Sequence, residues 1–204
     1  MPQSAPPLRG LVLAGGRGTR LGGRDKGTLD YHGQPQVRWA YALLAALCPG
    51  TCVAVRPEQA EHRAYQGLPL LLDTPAAAGP AAGLLAAFSA DTRSAWLVLA
   101  ADLPLVDAAL LERLIAARDP AALGTGYRQP DGTPEPLCAI FEPAARGALE
   151  RQPPERLSLR RVLEEGPSRL VDAAEPARLR SVNDPADDAA VRRRLAEQAG
   201  GSSV

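Results

Sequence analysis

Between Gly15 and Gly23 the sequence carries five glycines, with Arg17, Arg20, Arg24 and Lys26 among or just after them. Glycine has no Cβ, so main-chain N–H groups in such a stretch approach an anion closely while the basic side chains supply compensating charge. That is the chemistry of a polyphosphate cradle. Its bland alternative, a turn with solvated arginines, does not explain the apolar run Leu11-Val12-Leu13 in front of it, which has the character of a buried strand ending where Gly15 and Gly16 let the chain turn. Asp73 and Asp102 also follow short apolar runs. A hard carboxylate beside a triphosphate suits Mg²⁺, although a strand-end aspartate also serves as a helix cap or turn residue. His32 and His62 are the only histidines, and neither adjoins a Ser or Cys nucleophile signature.

Two familiar glycine loops fail on spacing. A Walker A loop needs Gly-Lys followed by Ser or Thr, but Lys26 follows Asp25 and precedes Gly27. The dinucleotide fingerprint begins at Gly16 and Gly18 and then meets Leu21 where its third glycine belongs. What remains, Leu13-Ala-Gly-Gly-Arg-Gly-Thr-Arg-Leu-Gly-Gly-Arg-Asp-Lys-Gly27, resembles the signature loop of nucleotidyltransferases. Among these it is most similar to the molybdenum cofactor guanylyltransferases. The resemblance implies transfer of GMP from GTP to molybdopterin, giving molybdopterin guanine dinucleotide and pyrophosphate. It implies Mg²⁺ as cofactor, held by Asp102 in an A-x-D-x-P segment, and catalytic roles for Arg20, Lys26 and Asp102. Nucleotide contacts are implied for Leu13, Ala14, Gly15, Gly16, Lys26, Asp73 and Asp102.

Asp73, Gly79, Pro80 and Gly83 match the family's D-x(5)-G-P-x-x-G segment. A carboxylate accepting from guanine N1–H and N2–H would favour guanine over adenine; capping the next helix is the plain alternative. For the acceptor the family offers Thr133–Cys138 and the segment bearing Arg160, and Asn183 matches its V-N-T-P element with Asp184 in place of Thr. Arg160 also fits the polar face of a surface helix, and Asn183 fits assistance to the metal or a cap on the last helix. Arg56 stands where relatives place an asparagine that helps hold the nucleotide. The resemblance further implies transient contact with molybdenum cofactor insertion proteins or apo-molybdoenzymes. The rival readings are a CTP-using enzyme on the same acceptor, another small nucleotidyltransferase, and a nucleotide-binding regulator without turnover.

The elements that must position these residues are legible as a pattern. Apolar runs at Leu11–Leu13, Thr51–Val55, Leu70–Leu72 and Trp96–Leu99 predict four strands. Helices are predicted from Pro35 to Cys48, from Pro57 to about Gly67, from Pro80 past Phe88, and after an Asp107 cap. Strand and helix alternate four times, which predicts an α/β fold with a Rossmann-like, mostly parallel sheet covered by helices on both faces; the resemblance makes it nucleotide-diphospho-sugar transferase-like. Ligands of such sheets collect at the carboxyl ends of strands, where the glycine loop, Asp73 and Asp102 all fall. The second half predicts a strand at Leu137–Phe141, helices at Ala144–Arg151 and Leu157–Glu165, a short strand at Leu179–Val182 and a helix at Pro185–Gln198. Met1–Pro7 is expected to be a loose leader, and Gly200–Val204 to be disordered.

The 204 residues suit one domain, taken as residues 1–204. Basic and acidic residues both number 23, so no general nucleic-acid binder is indicated, and 4% aromatic content argues against a base-stacking platform. Cys48, Cys52 and Cys138 contain no C-x-x-C pair and point to small buried residues in a reducing cytoplasm. No apolar stretch reaches about 18 residues without a charge, Pro or Gly, so neither secretion nor membrane insertion is expected.

Overall fold

The computed structural model describes residues 4–15, 25–73 and 79–201, with backbone only from 199 onward. Seven strands form one sheet in the order β3-β2-β1-β4-β6-β5-β7. They are β1 (Leu8–Leu13), β2 (Cys52–Val55), β3 (Leu70–Leu72), β4 (Ala95–Ala100), β5 (Gly124–Arg128), β6 (Pro134–Phe141) and β7 (Ser168–Asp172). Only β6 runs against its neighbours, pairing antiparallel with β4 and β5. All six residues of β4 are buried, as expected of a strand covered on both faces.

The helices are α1 (Gln36–Leu47), α2 (Pro80–Ala90), α3 (Ala108–Ala116), α4 (Ala145–Glu150), α5 (Leu159–Glu165) and α6 (Pro185–Gly201). They lie on both faces. A Cβ on Gly10 of β1 would meet the Leu44 Cβ of α1 at 3.0 Å and the Thr51 Oγ1 at 2.4 Å, so glycine is what lets α1 lie close. Gly83 of α2 abuts Leu13 and Ala54 on the other face. Leu163 of α5 fills the space above Gly124 and Gly126, while the Tyr127 hydroxyl donates to the Leu110 carbonyl of α3 beneath.

The parallel register brings the strand ends level. Leu13 pairs with Ala54 on one side and Ala100 on the other, and Leu72 pairs with Val55. Backbone bonds continue the ladder past the strands, from Ala14 to Ala54, Ala101 to Leu13 and Asp73 to Val55. Three chemically distinctive segments therefore leave the sheet side by side.

Several expectations are corrected. In place of a helix from Pro57 to Gly67 there is a 3-10 turn, Pro57–Gln59, followed by i to i+3 bonds closing at His62, Tyr65 and Leu68. The Gln59 side chain turns back to accept from the Arg56 N–H, and buried Tyr65 is drawn inward, so the chain rolls in tight turns. The strand expected at Leu179–Val182 is a 3-10 turn, Pro176–Leu179, followed by a link whose Val182 N–H donates to the Asp102 carbonyl. Strands β5 and β7 carry too little apolar pattern to have been predicted. The leader is tied down at its end, since the Pro6 carbonyl accepts from Arg118 and the Pro7 carbonyl from the Ala95 N–H. Helix α6 continues through Gly200 and Gly201, while residues 202–204 lie outside the described residues.

Candidate active site

Lys26 is the only lysine among the 23 basic residues of the chain. It opens a 3-10 turn, Lys26–Thr28, capped by Asp25, whose carboxylate accepts from the Gly27 N–H at 2.9 Å. Its ammonium donates to Asp102 Oδ2 at 2.9 Å and to Asn183 Oδ1 at 2.7 Å. Three residues far apart in sequence thus meet in one chain of contacts, and each is there for a local reason. Asp102 leaves β4 two residues past its end. Asn183 is fixed beside it because Val182 bonds the Asp102 carbonyl and the Asn183 N–H donates to Asp187 Oδ2.

The helix-capping alternatives do not hold for Asp73 and Asp102. Asp107 caps α3 by accepting from the Leu110 N–H, and Gly79, with φ +70°, occupies the N-cap position of α2. At α6 Asp184 accepts from the N–H groups of Ala186 and Asp187. Its carboxylate, at the position where the family has Thr, caps the helix and leaves the Asn183 side chain for Lys26.

Leu13, Ala14, Gly15, Lys26, Asp73 and Asp102 line one cleft, together with Gly79, Gly83 and Leu137. Asp73 stands over Gly15 so closely that a Cβ there would meet its Oδ2 at 2.4 Å, and a Cβ on Gly83 would meet its Oδ1 at 3.3 Å. Two glycines therefore make the slot in which the carboxylate sits. Burial pushes the Asp73 carboxyl above the usual aspartate range; the nearby Arg56 charge opposes this and Glu58 adds to it. Arg56 is engaged with Glu58 at 2.9 Å and with Gln59 Oε1 at 3.3 Å.

The Lys26–Asp102 pair is partly buried, with side chains 18% and 16% exposed. Asp102 Oδ1 is buried and has no hydrogen-bond partner among the described residues, an uncommon state for a carboxylate oxygen. No group of three or more His, Cys, Asp or Glu residues among the described residues is arranged to hold a metal.

A second, open groove adjoins Asn183 and is lined by Gln129, Glu135, Arg180 and Asp187 among others. Arg160 does not join the cleft. It is exposed on α5, and its charge acts on Asp131 and Glu135. Burial pushes the Glu135 carboxyl up, opposed by bonds from the Leu137 N–H and Gln129. Gly16 and Arg20 lie outside the described residues. Unforeseen from sequence was the set around Asp25, whose Oδ2 accepts from Gln59 at 2.8 Å and from Tyr65 at 2.7 Å. Nothing in those residue types, set among turns, signals a site.

Residues 10–173 match the model of the MobA-like NTP transferase domain. The chain belongs to the MobA-like NTP transferase family. A molybdenum cofactor guanylyltransferase of Pseudomonas putida F1 is 36% identical over 192 residues, covering 91% of this chain and 97% of that protein. A molybdenum cofactor biosynthesis bifunctional protein of Synechocystis sp. is 37% identical over 143 residues, and the chain spans 41% of its length. In fold, this NTP transferase is similar to the crystal structure of molybdopterin-guanine dinucleotide biosynthesis protein A from Archaeoglobus fulgidus, with a TM-score of 0.75, 21% identity and coverage of 93% and 99% of the two chains. No helix among the described residues is long and apolar enough to cross a membrane.

Proposed function

We propose that this NTP transferase moves GMP from GTP to molybdopterin, giving molybdopterin guanine dinucleotide and pyrophosphate. The observation that carries the reading is the joint between the two grooves: Lys26, which lines the nucleotide cleft, bonds both Asp102 within that cleft and Asn183 on the neighbouring groove. A donor triphosphate in the first and an acceptor phosphate in the second would meet at Lys26. An acceptor phosphate oxygen attacks the α-phosphorus, the new P–O bond forms, and the bond to the β-bridging oxygen breaks to release pyrophosphate. The attacking phosphate is already anionic at neutral pH, so no strong base is needed. Lys26 offsets the charge that accumulates on the transferring group, and positioning supplies the rest.

Asp73 reads the base in this proposal. Its carboxylate has acceptor capacity for the adjacent N1–H and N2–H of guanine, whereas cytosine offers one amino group and adenine an acceptor at N1. Mg²⁺ suits Asp102, because this ion is commonly held by one or two carboxylates plus substrate phosphates, and Oδ1 has no hydrogen-bond partner among the described residues. When bound it would neutralise negative charge on the phosphates. Asn183, which lines the second groove, and Arg160, whose charge acts on Glu135 in that groove, are assigned to the acceptor. The test is to incubate the protein with molybdopterin, Mg²⁺ and each NTP in turn and to measure pyrophosphate. Release with GTP alone is expected, and release with CTP alone would replace the guanine assignment.

A further inference from the structure

The Gln59 amide ties together three strand or turn ends. Its Nε2 donates to the Ala14 carbonyl at 3.0 Å, just past β1, and to Asp25 Oδ2 at 2.8 Å, just before Lys26. Its Oε1 accepts from the Arg56 N–H at 3.0 Å, just past β2. An amide nitrogen has two hydrogens, and these two bonds use them, so the 3.4 Å approach to the Tyr65 oxygen is the weakest of the three. The Tyr65 hydroxyl spends its own hydrogen on Asp25 Oδ2 at 2.7 Å. Both side chains are shielded: Gln59 is 5% exposed and Tyr65 fully buried.

We propose that Gln59 and Tyr65 are positioning residues for transfer, acting on Lys26 through Asp25; the kinetic part of this inference rests on the role given to Lys26 above. The capping bond that the Gly27 N–H donates to Asp25 Oδ1 fixes how the turn begins, and the turn fixes the direction in which the Lys26 stem leaves the backbone. With Oδ2 held by Gln59 and Tyr65, the carboxylate cannot rotate away from that bond. All three of its donors are neutral, and no ion pair to Asp25 is found among the described residues, so the adjacent ammonium faces Asp102 and Asn183. Gly27 belongs to the same fit, since a Cβ there would meet the Tyr65 oxygen at 2.6 Å.

Because Lys26 is the only lysine, its ammonium can be followed chemically in the intact protein by limited acetylation with acetic anhydride and peptide mass spectrometry. Tyr65→Phe and Gln59→Leu are expected to raise the Lys26 acetylation rate by roughly three- to tenfold, the factor that corresponds to one intramolecular hydrogen bond. Tyr127→Phe removes a comparable buried bond elsewhere, to the Leu110 carbonyl, and is expected to leave the rate unchanged. An unchanged rate in both network variants, or an equal rise in Tyr127→Phe, overturns the proposal. In the transfer assay Tyr65→Phe should lower kcat about tenfold with little change in KM for GTP, and should add nothing to Lys26→Ala in a double variant. Multiplying effects would mean that Tyr65 acts on the fold at large. Absence of GMP transfer by the wild-type protein would overturn the proposed reaction, and acetylation would still decide the positioning role.

Discussion

Adding one methyl group at Gly15 separates substrate reading from folding. A Cβ there falls 2.4 Å from Asp73 Oδ2, and the next neighbour of another residue, Arg56 Cγ, is an ordinary 3.6 Å away. The Asp73 carboxylate is the end of a side chain facing a cleft, so it yields by about 1 Å, which stretches a hydrogen bond of about 2.9 Å beyond bonding range. Losing one bond to a charged acceptor costs roughly 1.5–3 kcal/mol, or about 10- to 150-fold in kcat/KM for GTP. Stability should hold or rise slightly, since Gly to Ala at a compatible backbone geometry gains about 0.4–1 kcal/mol through the unfolded chain. Gly83→Ala is the counterpart. Its Cβ would meet Ala54 Cβ and Leu13 Cδ2, both at 2.7 Å and both buried, and Asp73 Oδ1 only at 3.3 Å, so overpacking of about 1–3 kcal/mol should lower Tm. The assay is kcat/KM for GTP and CTP with thermal unfolding on both variants. Wild-type kcat/KM in Gly15→Ala would refute the role of Asp73 in holding the nucleotide, and an equal loss for GTP and CTP would refute its choice of base.

Lys26→Arg should lower kcat by at least about tenfold, because a planar guanidinium cannot reproduce a point charge seated between Asp102 and Asn183, and Lys26→Ala should cost about 10²- to 10³-fold; steady-state kinetics checks both. Asp102→Ala should abolish the response of transfer to added Mg²⁺, and a wild-type titration curve would place the ligand elsewhere. Asp73 must be ionised to accept from guanine, so its raised pKa moves the acid limb of kcat/KM above the usual aspartate range; Asp73→Asn should remove that limb along with much of the activity toward GTP. For stability the sign is opposite to a salt-bridged aspartate: a folded pKa above the unfolded one favours folding at low pH, and that contribution is lost as pH rises through the folded value. Asp73→Asn should therefore raise Tm at neutral pH, with the gain fading in acid, as thermal melts across pH would show.

The first half of this chain was legible because parallel strands buried on both faces are nearly pure apolar runs, and Leu11–Leu13, Cys52–Val55 and Trp96–Leu99 stand out against their flanks. With the shorter run Leu70–Leu72, their carboxyl ends placed Asp73 and Asp102 at the same edge without any contact being known. Strand β5, Gly-Thr-Gly-Tyr-Arg, defeats the same rule, since its glycines are there for Leu163 and the Ile140 carbonyl, which crowd the two Cβ positions. β7 lies at the sheet's outer edge and has no fully buried position, so its sequence, Ser-Arg-Leu-Val-Asp, carries little signal. Local residue types cannot announce a partner 76 or 157 positions away, and those are the separations of Lys26 from Asp102 and Asn183.

The same limit explains why Gln59 and Tyr65 escaped notice while Lys26 did not. A glycine-rich basic stretch is unusual in itself, so its chemistry is visible in composition; a glutamine and a tyrosine among turns are ordinary until their partners are known. Their burial matters most. Asp25 is a carboxylate next to the one lysine, and exposed it would compete with Asp102 for the ammonium at similar range. Neutral donors on both of its oxygens, from Gly27, Gln59 and Tyr65, leave it hydrogen-bonded without a cation among the described residues. The single ammonium is thereby directed to the edge where the strands end, which is where an α/β sheet of this topology gathers its ligands.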